Sequence, residues 1–194
     1  MSKVITFSRT FPAYHPKAGQ PTYFVEKFWN NWNQSELDQV FLSDYYDEIK
    51  FQLNKTVPFE IICNFFAQLN QCKREDLGAK LHTIRAGNRF KAGEYFSPRV
   101  WSGKPYNSKQ IIIAPDTLIT DVYDFEIKTA YKELPLDYDT DVIINHRIYH
   151  TDSNIMKVVA ENDGLTLAEL LQWFKYPTPF KGQIICWNDK VNYQ

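Results

Sequence analysis

The sequence predicts an α+β fold in which a barrel-like core of strands is interrupted by a helical segment. Three observations lead to this prediction. A short strand pattern opens the chain, and several more strand patterns follow residue 80. Between residues 21 and 72 the apolar residues instead recur at helical spacing. Only short helical patterns lie among the later strands, and many strands with few short helices are typical of a barrel-like α+β core.

The first elements are a strand and then a helical region. Residues 4–8 alternate Val, Ile, Thr, Phe and Ser and therefore predict a strand. Pro and Gly between residues 12 and 21 predict a loop. Phe24, Phe28 and Trp32 then recur every four residues, the same spacing continues over residues 37–53, and apolar residues at 59, 63 and 66 keep a helical spacing. We therefore predict three amphipathic helices in this region.

Strand patterns return at residue 80 and continue almost to the end of the sequence. Turn-forming residues at 86–88 and 91–93 separate the first of them. Further strands are predicted over residues 95–101, 110–114, 118–128, 142–149 and 180–187. A helix is predicted over residues 154–161, ended by Asp163-Gly164. Thr166-Leu-Ala-Glu169 is a capping box, so a second helix should begin there and run to about residue 174.

Composition narrows the class of protein. With 194 residues, 44% of them apolar, the chain can bury a sizeable core, and we predict one domain over residues 1–194. The first residues lack the apolar run of a signal peptide, and no stretch approaches the roughly 20 apolar residues of a membrane span. Three cysteines without paired spacing argue against a disulfide framework or a zinc site. We expect a cytoplasmic protein with no cofactor and no membrane partner.

Charge is segregated along the chain although its net value is only -1. Residues 80–109 carry seven basic residues against Glu94 alone, a local charge of +6. Residues 116–163 carry eleven acidic and four basic residues. One interpretation is ordinary surface patterning, in which the two stretches neutralise each other across strands. The other is a phosphate-binding face, because clustered Lys and Arg gain affinity by releasing counterions from a phosphate backbone.

Several short motifs follow one another in a defined order. Lys80-Leu-His-Thr-Ile-Arg85 precedes the turn Phe90-Lys-Ala-Gly-Glu94, and then come Asp163-Gly-Leu165 and the closing segment Phe180-Lys-Gly-Gln-Ile-Ile-Cys-Trp187. In order and spacing these motifs resemble the ASCH family of the PUA-like superfamily. The resemblance covers residues 3–12 and 79–187. It implies a PUA-like β-barrel into which the helical residues, about 21–72, are inserted.

The resemblance implies, first, a nucleic-acid or modified-nucleobase binding module. Its partners would be RNA, single-stranded nucleic acid or a modified nucleoside, held in a basic pocket flanked by aromatic residues. The planar fork of Arg85 suits a carbonyl edge or a phosphate, although Arg85 would serve equally in a structural ion pair. Trp101 lies beside basic residues and turn formers, where it would stack a base or, alternatively, cover the end of the barrel. The further binding candidates are Arg89, Lys91, Arg99, Lys104 and Tyr106.

The second implied function is an amidohydrolase of N4-acylated cytidine-type substrates. The family resemblance gives catalytic roles to Lys80, Thr83 and an acid at the position of Asp163, where the family has Glu; Glu161 is the alternative acid. Thr83 Oγ would attack the amide carbonyl. Lys80 is the candidate base for the Thr83 proton, which requires desolvation to lower the lysine pKa by roughly 3 units from its usual value of about 10.4. Beside an ionised Asp163, Lys80 should instead stay charged and stabilise the oxyanion or hold a phosphate.

The alternation of side chains along a strand complicates this site. Thr83 and Arg85 should share one face, whereas Lys80 nominally points to the other. The three candidate catalytic residues therefore form one site only if the backbone bends before Thr83. The structural alternative is a buried salt bridge beside a strand threonine.

Other candidate sites are weaker. His146 and His150 lie near Asp152 without a clear third ligand, so we predict no metal site. Nuclease activity and a structural or protein-binding role for the helical insertion, whose partner is unknown, remain open alternatives.

Overall fold

The structure is a computed structural model that describes residues 2–31, 48, 77–129, 140–175 and 179–193. The chain divides into two compact units. Unit 1 comprises Met1–Ala13, Lys17–Ala79 and Tyr95–Thr117, and unit 2 comprises Tyr14–Pro16, Lys80–Glu94 and Leu118–Gln194. Apart from residue 48, the helices predicted over residues 37–53 and 59–66 lie outside the described residues.

The described residues form strands for the most part, with short helices between them. The strands are β1 (Lys3–Phe7), β2 (His82–Ala86), β3 (Tyr95–Trp101), β4 (Gln110–Ile112), β5 (Thr117–Leu118), β6 (Asp121–Thr129), β7 (Thr140–Ile144), β8 (Arg147–His150) and β9 (Phe180–Cys186). The helices are α1 (Phe24–Trp29), α2 (Asn154–Asn162) and α3 (Leu167–Trp173). An α+β fold is therefore confirmed.

The first sheet has the order β1-β3-β4, and β5 also pairs with β3. β1 runs parallel to β3, whereas β4 runs antiparallel to it. Phe7 of β1 packs against Phe28 of α1, with ring centroids 5.2 Å apart. The indole Nε1 of Trp29 donates to the carbonyl of Ile113 at 2.8 Å. These contacts bury the apolar side of α1 and anchor it within unit 1, as the four-residue spacing of its aromatic residues predicted.

The second sheet has five strands in the order β2-β9-β6-β7-β8, and every pairing is antiparallel. Residues directly opposite each other in such a sheet share a face. One face carries the buried apolar side chains of Ile84, Ile184, Tyr123, Phe125, Ile127, Val142 and Ile144. The other face carries Thr83 and Arg85 of β2 together with Gln183 of β9. This division between faces decides which candidate residues lie near each other.

Local signals placed the helix ends of unit 2. Thr166 and Glu169 form the predicted capping box, in which each side chain bonds the backbone N–H of the other residue. Gly164 has a φ of 75°, the left-handed conformation that glycine adopts readily, and it follows α2 and its C-cap Asp163. The Phe174 ring, directly after α3, lies 5.9 Å from Phe125 and 4.6 Å from Phe180. α3 is thereby fixed to the second sheet.

Two strand predictions were wrong in detail. Residues 142–149 form β7 and β8, joined by the two-residue turn Asn145-His146, and not one strand. Both turn residues have positive φ, 45° and 68°, as a type I′ hairpin requires, and no glycine marks the turn in the sequence. Residues 118–128 likewise divide, because β5 ends at Leu118 and β6 begins at Asp121.

The described parts of the two sheets have separate strand orders, and no closed barrel is found in them. A search of the described residues for a helix that could span a membrane found none.

Candidate functional site

A buried ion pair joins Lys80, two residues before β2, to Asp163, the C-cap of α2. Lys80 Nζ lies 2.5 Å from Asp163 Oδ1 and also donates to the Asp163 carbonyl oxygen at 2.6 Å. The exposed fraction of Lys80 is 1%, and that of Asp163 is 5%. The Trp187 indole donates to the Lys80 carbonyl at 3.1 Å, so the backbone that carries the ammonium is also fixed. Glu161, the alternative acid, is exposed. Of the two candidate acids, Asp163 is therefore the one that contacts Lys80.

A neutral histidine extends this cluster. His82 is completely buried, and its Nε2 lies 3.8 Å from Asp163 Oδ1, the oxygen that Lys80 contacts. Burial, and then the nearby Lys80 ammonium, lower the pKa of His82 well below its usual value. The imidazole therefore stays uncharged at neutral pH. One buried carboxylate thus faces a cation and a neutral ring.

The last described residues complete a hydrogen-bonded chain behind His82. The Asn162 amide donates to the Tyr193 hydroxyl at 2.8 Å, and this hydroxyl lies 2.8 Å from His82 Nδ1. If the hydroxyl gives its single proton to Nδ1, the imidazole proton is on Nε2 and faces Asp163. We call Lys80, His82, Asn162, Asp163 and Tyr193 the ion-pair cluster. Burial raises the pKa of Tyr193, so this phenol stays protonated.

Thr83 lies on the other face of β2 from this cluster. Lys80 and His82, two residues apart, both approach Asp163 Oδ1, which puts them on one side of the strand. Thr83 follows His82 and is therefore directed to the opposite face, where it is 4% exposed. The structure brings Lys80 and Asp163 together and directs Thr83 away from them. It shows the buried salt bridge beside a strand threonine, and the catalytic roles stay predictions.

The loop after β2, which we call the basic loop (residues 87–94), presents exposed cations. Arg89 and Lys91 are both exposed, and Phe90 between them is buried. The Arg89 guanidinium lies over the Phe90 ring, 5.1 Å from its centroid. The Glu94 carboxylate accepts from the Lys91 backbone N–H at 3.0 Å, within the turn that Gly93 closes at φ 83°. Arg85, at the end of β2, is half-buried.

A second group of candidates lies in unit 1, on the segment that joins β3 to β4. We call residues 101–110 the aromatic hairpin, in which Trp101 pairs with Gln110. Tyr106 is 87% exposed, and its ring centroid lies 5.4 Å from that of Trp101. Lys104 is exposed in the same turn, while half-buried Arg99 donates to Ser97 and Gln110.

The aromatic hairpin has a well-defined backbone. The Ser108 hydroxyl donates to the Lys104 carbonyl and accepts from the Gly103 N–H, each at 2.9 Å. The Ser102 N–H donates to the Lys109 carbonyl at 2.9 Å. Tyr106 has a φ of 64°, a left-handed conformation that costs a bulky residue about 1–3 kcal/mol. A turn that holds an exposed aromatic ring in a strained conformation is a candidate for ligand contact.

Several residues that hold the ion-pair cluster and the basic loop were not predicted from the sequence. Asn162, Tyr193 and Gln183 reach their partners over long sequence separations, 111 residues in the case of Tyr193 and His82. His146 and His150, considered for metal binding, lie in the β7–β8 turn and on β8. The described residues contain no group of three or more His, Cys, Asp or Glu side chains that could hold a metal ion.

Comparison with known proteins adds no relative to this description. No family model matches the chain, and no curated protein or solved structure matches it either.

Proposed function

We propose that this chain is a nucleic-acid or modified-nucleobase binding protein. The observation that carries the proposal is the exposure of cations on two surfaces, one of which also presents the exposed ring of Tyr106 next to half-buried Trp101. Arg89 and Lys91 are exposed on the basic loop, and Lys104 is exposed beside Trp101 and Tyr106 on the aromatic hairpin.

The cations supply affinity for phosphate. Lys91 and Lys104 are solvent-exposed, so binding a phosphate costs them little desolvation. Each phosphate that a cation neutralises releases condensed counterions, which favours binding at low salt. Arg89 adds a planar guanidinium, already ordered against Phe90 at 5.1 Å, that can bind two phosphate oxygens at once. These groups fit a polyanion better than a neutral ligand.

The aromatic pair supplies contact with bases. Every nucleobase has a π face, and stacking on an aromatic side chain contributes about 1–3 kcal/mol per base. Tyr106 offers the most exposed large ring of the described residues, and the centroid of the Trp101 ring lies 5.4 Å from that of Tyr106. Bases are open to such stacking in single strands and are closed to it within a duplex. Single-stranded RNA or DNA is therefore the preferred partner class.

The proposed fold is an ASCH-type, PUA-like one forming a single domain with a helical insertion. Support comes from the elements on which the family-like motifs lie. Thr83 and Arg85 are on β2, and the Gly93-Glu94 turn follows it. Asp163 and Gly164 end α2, and the closing motif is β9.

Amidohydrolase activity on N4-acylated cytidine is the second candidate, favoured by the contact between Lys80 and Asp163. We rank this activity second to binding because Thr83 points away from the Lys80–Asp163 pair. The test is acetate release from N4-acetylcytidine by the purified protein at several pH values. Turnover that Thr83→Val abolishes in a folded protein would establish the hydrolase; no turnover, or equal turnover in that variant, would leave binding as the function.

The test of the binding proposal is the salt dependence of affinity for a fluorescent single-stranded RNA or DNA. Replacing Lys91 and Arg99 by Ala should flatten the slope of log K against log salt by about 1 to 2 units, because about 0.7 counterions are released per phosphate contact in single strands. The matched control replaces Lys128 and Lys157, exposed lysines of the acidic region, by Ala. This control changes net charge equally and should leave the slope unchanged. Equal slopes in the wild type and the Lys91/Arg99 variant would show that neither residue contacts the phosphates.

A further inference from the structure

Gln183 makes an unusual pair of hydrogen bonds to the basic loop. It lies on β9, opposite Arg85 of β2, and only 6% of it is exposed. Its Oε1 accepts from the Phe90 backbone N–H at 3.0 Å, and its Nε2 donates to the Phe90 carbonyl at 3.2 Å. The side-chain amide thus bonds both backbone groups of one residue, as a neighbouring strand would. Two bonds from one planar group fix the orientation as well as the position of Phe90.

Phe90 in turn carries the two exposed cations of the loop. Arg89 precedes it and lies over its ring, and Lys91 follows it. The Phe90 ring is 2% exposed, so it cannot move without opening a cavity. The loop is also bonded at its ends, where Gly87 N–H donates to Lys181 O at 3.3 Å and Gly93 N–H to Ile119 O at 2.9 Å. Among these bonds, those of Gln183 act at the middle, next to both cations.

We infer that Gln183 is a positioning residue, which holds Arg89 and Lys91 in the geometry that binds the phosphates of a single-stranded nucleic acid. This inference rests on the proposed function. A loop that is ordered before binding loses less conformational entropy when the ligand arrives. Without the amide the two cations would keep their charge but would have to be ordered by the ligand. Affinity should therefore fall while the number of released counterions stays the same.

The experiment is a mutant cycle on nucleic-acid affinity. Gln183→Met keeps the length and approximate volume of the side chain and removes both hydrogen bonds. We expect its affinity for single-stranded RNA to fall about tenfold, as the ordering of one or two long side chains would cost. The salt slope should stay that of the wild type. In an Arg89→Ala, Lys91→Ala background the same substitution should change affinity by less than about twofold, because the groups that it positions are gone.

The control for folding is the thermal transition and near-ultraviolet circular dichroism of each variant. If Gln183→Met fails to fold, Gln183→Asn keeps the amide chemistry but is one methylene too short to reach Phe90, and the same cycle is run with it. Hydrogen exchange of the Phe90 amide should be faster in either variant.

The outcomes separate the inference from the function on which it rests. The inference is supported if the Gln183 substitution lowers affinity only in the chain that keeps both Arg89 and Lys91. Two results would overturn the inference and leave the proposed function standing. One is wild-type affinity in a folded Gln183 variant whose Phe90 amide exchanges fast. The other is an equal loss of affinity in both backgrounds. A wild-type protein that binds no nucleic acid would overturn the proposed function, and the inference with it.

Discussion

Removing the carboxylate of Asp163 is the sharpest perturbation of the ion-pair cluster. Asp163→Asn keeps the shape of the side chain but removes the charge that lies 2.5 Å from Lys80 Nζ. The ammonium would then stay in a site where Lys80 is 1% exposed. Breaking a buried pair by removing one partner costs about 3–5 kcal/mol, because the remaining charge is uncompensated. We expect a loss of this size in the free energy of unfolding.

The double variant tests whether the loss comes from the pair. Lys80→Met keeps the aliphatic stem and removes the charge, so Lys80→Met with Asp163→Asn leaves no buried charge behind. The coupling energy between the two substitutions should be about 2–3 kcal/mol. The matched control is the pair of Lys181 and half-buried Glu126, in which the Lys181 side chain is 74% exposed and the charged atoms lie 3.2 Å apart. Lys181→Met should cost less than about 1 kcal/mol.

The assay is urea denaturation followed by far-ultraviolet circular dichroism and tryptophan fluorescence. Coincident transitions and an unchanged m-value are needed for the free energies to be compared. An Asp163→Asn loss no larger than that of Lys181→Met, or strict additivity of the two cluster substitutions, would refute the buried pair.

Two further predictions concern β2 and its neighbours. Because the pKa of His82 is well below its usual 6.5, the unfolded chain takes up a proton below about pH 6.5 that the folded chain does not. As the pH is lowered below this value, the free energy of unfolding should therefore decrease, with His82 contributing up to about 1.4 kcal/mol per pH unit. His82→Gln should remove this contribution from the pH dependence measured by urea titration. An identical pH dependence in the wild type and the variant would contradict the prediction. Gly182→Ala would put a Cβ in steric overlap with the Arg85 carbonyl oxygen, so it should destabilise the protein by about 1–3 kcal/mol. Wild-type stability of that variant would argue against the close approach of β2 and β9.

Elements with strong local signals were predicted from the sequence. The β1 and β3 strands, the capping box of Thr166 and the helix end at Gly164 are confirmed within about a residue, because each is determined by side chains a few positions apart. The turn at Asn145 and His146 was missed, since no glycine marks its positive φ values. Its formation depends on the hairpin and on Asn145, whose side chain accepts from Asp124 N–H at 2.9 Å.

The positions of the site residues were likewise predicted only where the local sequence determines them. Alternation along β2 predicted that Thr83 and Arg85 share a face and that Lys80 does not, and the structure agrees. The closure of the ion-pair cluster by Tyr193 and the bonds from Gln183 to Phe90 depend on strand order and register. Strand order and register are determined by the packing of the whole unit, so no local sequence pattern predicts these contacts.

The most direct test of the central claim, that the basic loop and the aromatic hairpin bind single-stranded nucleic acid, is photocrosslinking. A single-stranded RNA containing 4-thiouridine would be bound to the full chain at low salt, irradiated, and the crosslinked peptides identified by mass spectrometry. We expect crosslinks at Tyr106 or Trp101 and in residues 85–91. Unlabelled single strands should reduce the yield of these crosslinks more than the same amount of duplex does. Crosslinks confined to the acidic residues 116–163, or none at saturating RNA, would contradict the proposal.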